Sequence, residues 1–363
     1  MNNLKINTKF SNFQIFVLVV LMLTSPTVFS LNRLVAETAG ADGWISIIIS
    51  GLIISLESLI IIKLCSKFPR ENIFSFSKKI VGTALGTIIN IFYMIYNFLL
   101  LSVIFRLYIE ILFNSVFRKT PKLLVIIMFL IIALYACAKS IIIVGRVAEI
   151  CFLLLLLITL LNFTSLQYMD INNLLPIGTN GINNILLASI FSLTTFMGLY
   201  VVLIFIPEME AIDIKNIIKQ FSKSIAFVIS TLLISNINDI TVFGVERTKS
   251  FIWPHLKYIS VIHSEIFERI DITVIIVWFF IIMISIFSNL HFSLIALSSL
   301  FKIKNIYLIV IIFIINIPLI LMYKDYAQLI TFAKIINYIS LFPNFIIPSL
   351  LLIINFIYKR GKS

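Results

Sequence analysis

Charge is what this sequence has least of. Only 12% of its 363 residues are Asp, Glu, Lys or Arg, about half the share usual in soluble domains. With 61% of residues hydrophobic, so few charges cannot cover the surface of a soluble domain, and that class is excluded. Cysteine is scarce too. Cys65, Cys137 and Cys151 are odd in number and scattered in apolar surroundings, which argues against a disulfide framework or a thiolate metal site. The three histidines, His255, His263 and His291, lack metal-ligand spacing. No Ser/His/Asp set, zinc signature or phosphate-binding loop occurs, so nothing points to an enzyme or to a cofactor. The alternating segments of about ten residues that build a membrane β-barrel are missing. No small-residue cleavage site follows the first apolar run, which therefore reads as a span and not as a cleavable signal.

What is present is apolar length. Mean hydropathy is +1.12, and the apolar residues come in runs of about 18–23, enough to cross a hydrocarbon core of about 30 Å as a helix. Lipid offers the backbone no hydrogen-bond partner, so such runs must be helical. The pattern predicts an all-α polytopic membrane protein, with spans at 13–35, 44–64, 87–113, 122–138, 146–164, 185–206, 224–243, 272–290, 305–323 and 339–358. The net charge of +12 sits between these runs and forms no basic domain. It reads as topology and contact with anionic lipid headgroups, not as nucleic-acid binding. With an internal N-terminus, 17 of the 28 Lys and Arg residues fall inside and 10 outside, with Arg106 within the third span. That distribution places both termini on the cytoplasmic side.

Two connections carry information. Ile252, Leu256, Ile259, His263, Phe267 and Ile270 recur at helical spacing. They form either a short helix lying on the outer membrane surface or a lid packed over the bundle. Residues 165–184 are polar, with Pro176, Gly178 and Gly181, and read as an outer loop.

Ten helices divide into two sets of five, about 13–164 and 185–358, the second crossing in the opposite sense. This is the inverted-repeat architecture of many secondary transporters, and it predicts a break in the first helix of each half. The first span has Thr24–Ser25–Pro26–Thr27 near its middle. Pro26 removes a helical hydrogen bond, and the hydroxyls beside it can satisfy freed backbone groups. The sixth span has Thr194, Thr195, Phe196, Met197, Gly198 and Tyr200 at the corresponding place. Either these residues form a ligand pocket, or they are small-residue packing of the kind membrane helices favour. As a pocket they contain no carboxylate, lysine or histidine. Half-helix N-termini would hold an anionic group, the hydroxyls would orient it, and Phe196, Met197 and Tyr200 would supply apolar wall. A zwitterionic amino acid or a small neutral nutrient fits; a multivalent anion does not.

Charges inside spans are costly and so are worth naming. Arg106 and Glu110, one turn apart, read as an ion pair. Glu57 is either a proton-titrating group or a buried hydrogen-bonded side chain. All three are candidates for coupling or gating. Gly82 and Gly86 form a GxxxG pattern, which by itself signals close packing.

An ordered series of residues resembles a known family. Gly40–Ala41–Asp42–Gly43–Trp44–Ile45–Ser46 leads into the second span and Phe68–Pro69 closes it. Gly82 and Gly86, Thr120–Pro121, Gly145–Arg146 with Glu149, and Leu174–Leu175–Pro176 follow. Pro254, Leu256, Glu268–Arg269, Asp271 and Trp278 complete the series. The chain resembles the B subunit of the endospore germinant receptors, the spore germination permease family, from about residue 10 to 355. The resemblance implies the five-plus-five fold of the amino acid/polyamine/organocation transporters and a place in the inner membrane of the spore. It also implies partnership with a larger A subunit and a lipoprotein C subunit, and a small-molecule germinant, an amino acid, bound between the first and sixth helices. A secondary amino acid transporter coupled to H⁺ or Na⁺, and a water or ion conduit, are the alternatives on the same bundle.

Overall fold

The computed structural model describes residues 9–24, 26–117, 119–164, 166–261 and 269–360. Ser25 of the first break, and His263 and Phe267 of the amphipathic connection, lie outside the described residues.

The first apolar segment is two helices, α1 (Asn12–Leu23) and α2 (Val28–Ala39). The next four segments are α3 (Gly43–Cys65), α4 (Ile73–Ser115), α5 (Lys122–Cys137) and α6 (Ile141–Leu160). The sixth is broken again, α7 (Ile182–Ser192) being joined through 3-10 turns to α8 (Val202–Phe205). Then come α9 (Ile214–Ser250), the short α10 (Pro254–Val261), α11 (Ile270–Leu300), α12 (Asn305–Leu321), α13 (Tyr326–Leu341) and α14 (Ile347–Arg360). Among the described residues, seven helical stretches have the length and apolarity to cross a membrane, and α1, α5 and α12 are shorter apolar helices. With α1 and α2 taken as one crossing, these segments match the ten predicted from the sequence. Leu52, Ile88, Ile131, Leu157, Ile314 and Ile353 stand exposed on the outside of the bundle, as lipid contact requires. The fold is all-α; among the described residues the one β feature is an isolated bridge between Phe10 and Met209.

Loop contacts fix the alternation of crossings. The Phe10 amide donates to the Glu208 carbonyl and the Glu210 amide to the Phe10 carbonyl, both at 2.9 Å. The Arg70 guanidinium donates to the carbonyls of Pro207, Met209 and Glu210. The start of α1, the end of α3 and the end of the sixth segment therefore share one face. On the other face the Asp42 carboxylate accepts from the Gly178 amide at 2.8 Å and the Asn180 amide at 3.3 Å, and Ser46 donates to the Ile185 carbonyl at 2.9 Å.

Helix α4 begins earlier than hydropathy suggests and folds back on itself at Gly82, which has φ 82° and ψ 168°, a conformation open essentially to glycine alone. The reversal lays the Lys78 backbone against Gly86, where a Cβ would lie 2.6 Å from the Lys78 Cα. Asn90 ties the fold down: its amide donates to the Phe74 carbonyl, and its oxygen accepts from Ser77, each at 2.9 Å. The GxxxG pattern is thus a hinge and its clearance. Gly82→Val should cost about 1–3 kcal/mol of backbone strain, read as a lowered thermal midpoint of the detergent-purified chain. An unchanged midpoint would contradict the hinge.

Two further differences have local causes. The last segment begins at Tyr326 and not near 339, because Asp325 caps α13 by accepting from the Gln328 amide at 2.8 Å. Lys334, which depresses the hydropathy there, lies over the Phe191 ring 5.2 Å from its centroid. In the amphipathic connection, α10 buries Pro254, His255, Leu256, Tyr258 and Ile259 against α2, α9 and α11. Of the two readings left open by its periodicity, the lid is the one adopted.

Candidate ligand site at two facing helix breaks

Pro26 and its neighbours end one helix and start the next. Thr24 closes α1: its amide donates to the Val20 carbonyl at 3.0 Å, and its hydroxyl donates to the same oxygen at 2.7 Å. Thr27 opens α2, its carbonyl accepting from the amides of Ser30 and Leu31 at 3.0 and 2.8 Å. In the sixth segment the chain tightens into 3-10 turns over Leu193–Phe196 and Leu199–Val201. Such turns leave α-type backbone partners unmatched, and hydroxyls meet part of the deficit. Ser192 donates to the Ala188 carbonyl at 3.0 Å and Thr194 to the Phe191 carbonyl at 2.7 Å.

The two breaks face each other. The hydroxyls of Thr27 and Thr195 are 3.5 Å apart. A Cβ on Gly198 would lie 3.7 Å from the Met22 carbonyl, so the sixth break approaches the last turn of α1 closely. Thr24, Pro26, Thr27, Thr194, Thr195, Phe196, Met197, Gly198 and Tyr200 are all buried. The sequence singled out these residues in two separate groups, and the fold brings the groups together.

Other helices complete the sixth break. The Tyr200 amide donates to Asn344 Oδ1 at 2.8 Å. The Met197 carbonyl accepts from Asn344 Nδ2 and from the Tyr96 hydroxyl, both at 3.4 Å. The Tyr200 hydroxyl donates to Asn97 Oδ1 at 2.5 Å, with Asn289 Oδ1 at 3.2 Å. Asn97 in turn donates to the Asn289 carbonyl at 2.9 Å and to Ser293 Oγ at 2.6 Å. Tyr93, Tyr96 and Phe292 pack their rings around Tyr200. Asn97, Asn289, Asn344, Tyr96 and Ser293 were missed in the sequence. A signal was there: Asn97, Asn289 and Asn344 each interrupt an apolar run, and an amide at membrane depth is expensive unless partnered.

In this conformation the described residues of both breaks are buried. The cavity that reaches the first break, about 30 Å³, opens at Thr24 towards α6, α9 and α11 and includes none of the sixth-segment residues. Glu57 lies on the buried face of α3. Arg106 and Glu110 pair at 2.7 Å, and Lys122 joins Glu110 at 2.9 Å. That trio clamps α4 to the start of α5, about 13–20 Å along α4 from Asn97 at ~1.5 Å per residue. Among the described residues no group of three His, Cys, Asp or Glu side chains converges to hold a metal.

Comparison with known proteins identifies the family. Residues 9–329 match the family described as spore germination protein. The chain belongs to the spore germination protein family. Its similarity to spore germination protein YndE of Bacillus subtilis (strain 168) is 26% identity, covering 98% of this chain and 99% of the other. Spore germination protein GerQB of Bacillus cereus is 22% identical over 82% of this chain and 81% of its own. Spore germination protein KB of Bacillus subtilis (strain 168) is 26% identical over 80% and 79%.

Within this spore germination protein, several residues that carry the family likeness are joints. Asp42 pins the Gly178–Asn180 loop to the turn after α2. Gly43 lies so close to Val35 that a Cβ would meet its Cγ1 at 2.3 Å. Gly145 admits the Phe10 ring, 2.7 Å from where a Cβ would stand. These positions determine how the loops close, while the paired breaks form the candidate chemistry.

Proposed function

We propose that this chain is a nutrient-sensing B subunit of a spore germinant receptor, built as a five-plus-five inverted repeat and binding an amino acid at its paired breaks. The observation that carries this reading is the meeting of Thr27 and Thr195, 3.5 Å apart, from two interrupted helices. Interrupted helices expose backbone N–H and C=O groups and helix ends to a ligand's carboxylate and ammonium. The surrounding hydroxyls and the Asn97–Tyr200–Asn289 network orient it. The close approach of the breaks in the present conformation supports a two-state device: the ligand binds the state in which the breaks separate, and so shifts the population towards it. A larger A subunit and a lipoprotein C subunit would read that shift in the inner membrane of the spore, with both termini of this chain on the core side. The germination names of the relatives GerQB and KB support a role in germination.

The test is direct. The purified chain in lipid nanodiscs should bind at least one member of an isotope-labelled L-amino acid panel, and Thr195→Val should weaken that binding. Loss of one hydrogen bond worth about 0.5–1.5 kcal/mol should raise the effective germinant concentration for spores carrying the variant about 2- to 10-fold. An unchanged dose–response would remove Thr195 from the site. Accumulation of the same amino acids against a gradient in proteoliposomes would replace sensing by secondary transport.

A further inference from the structure

Under the lid helix α10 lies a second polar centre, separate from the paired breaks. Asp239, near the lid end of α9, is wholly buried. Its Oδ2 accepts from Asn32 Nδ2 at 2.7 Å, and its Oδ1 stands 3.2 Å from His255 Nδ1 on α10. Asn32 also donates to Ser235 Oγ at 2.9 Å. The Tyr258 ring stacks on His255, with centroids 5.7 Å apart and planes at 6°.

Beside this centre is the cavity of about 30 Å³, whose lining includes Thr24, Asn162, Ser235, His255 and Trp278. One water needs about 10–15 Å³ of such space. Two atoms on the lining residues are orphaned. Asn162 Oδ1 and Trp278 Nε1 have no hydrogen-bond partner among the described residues, although their residues are only 6% and 4% exposed. One is an acceptor and the other a donor. Water can partner both kinds of atom, whereas a bare cation cannot accept the indole N–H.

A wholly buried carboxylate held by an amide and an imidazole is costly unless its charge is matched. Among the described residues, cations on the neighbouring elements are engaged or face outwards. On α2, Arg33 pairs with Glu37 at 2.7 Å. At the end of α9, Lys249 pairs with Glu246 at 2.8 Å, and at the head of α11, Arg269 pairs with Asp271 at 2.8 Å. Lys257 of α10 is exposed, and α6 and the turn after it present Leu155, Ile158, Thr159 and Asn162 here. The side chains that meet the Asp239 carboxylate are Asn32 and His255.

We propose that Asp239 and His255 form a proton-binding site served by one water in the cavity under α10. With Nδ1 turned to Asp239, Nε2 is the imidazole atom that gives its proton to the water or takes one back. The site touches both stubs of the first break, since Thr24 caps α1 and Asn32 lies on α2. Occupancy by the proton thus favours the closed lid and the present arrangement of the break. Glu57, the group the sequence put forward for titration, lies on α3 outside this cluster. The inference stands whether the paired breaks bind an amino acid or not.

The experiment uses the full chain in nanodiscs, with Trp44→Phe and Trp253→Phe leaving Trp278 as the fluorophore. Protonated imidazole quenches indole, so Trp278 emission should fall in one sigmoidal step on acidification between about pH 9 and 4.5. His255→Gln should abolish the step, and Asp239→Asn should move it acidward. Glu57→Gln should leave it in place. A second readout does not depend on those variants folding: with His263→Gln and His291→Gln, the ring NMR signals of His255 should titrate at the same pH. Survival of the step in His255→Gln, absence of any step in either readout, or a step set by Na⁺ or K⁺ concentration and not by pH overturns the proposal.

Discussion

Spores carrying Gly198→Leu should lose the response to nutrient while the protein still accumulates in the membrane. A Cβ at Gly198 would lie 3.7 Å from the Met22 carbonyl, an ordinary contact. Gly198→Ala should therefore keep the response. A leucine must place three further carbons against the last turn of α1, where Met22 and Leu23 are fully packed. Overpacking of this kind costs about 1–3 kcal/mol, and here it is relieved by pushing the two breaks apart. The pair can then no longer switch between packed and separated states. Germination assays across an amino acid panel, with membrane fractions blotted for the protein, decide the matter. Normal germination with leucine in place would mean that the breaks do not approach each other during function.

Asn97→Ala should be the most destabilising of the single polar substitutions in the bundle. The side chain accepts from Tyr200 and donates to both Ser293 and the Asn289 carbonyl. Its removal strands three buried partners at membrane depth, each costing about 1–3 kcal/mol when left unpaired. Because Asn289 Oδ1 lies 3.2 Å from the Tyr200 hydroxyl and can take over part of the load, a net loss of about 2–4 kcal/mol is expected. Unfolding of the purified chain in mixed micelles measures it. Adding Tyr200→Phe to Asn97→Ala removes one stranded hydroxyl, so the double variant should lose less than the sum of the singles. Strict additivity would show that the two side chains do not interact.

The legible and illegible parts of this molecule divide along a physical line. The first break could be read because Pro26 acts on its own helix, through a missing N–H, whatever packs nearby. The sixth break was legible only as hydroxyls followed by Gly198. Its full form depends on Asn344 and Tyr96, which lie more than a hundred residues away in sequence and supply the partners its carbonyls and amides need. Arg106 and Glu110 were readable as a pair, being one helical turn apart; that Lys122 joins them required the turn into α5. The Gly82–Gly86 spacing suggested contact between helices, whereas the contact is made within α4, because only the folded backbone reveals the positive φ at Gly82. Asp239 and His255 carried no local pattern at all, since one sits on α9 and the other on the lid.

By itself the sequence determined that this chain enters a membrane, crosses it as helices about ten times and interrupts its first helix at Pro26. Hydrophobic length, backbone satisfaction in lipid and the missing proline N–H all act locally. The tertiary structure decided which buried polar groups meet: Thr27 with Thr195, Tyr200 with Asn97, Asp239 with His255. Each of those groups needs a partner inside the bundle, but the packing of helices distant in sequence chooses which one it finds.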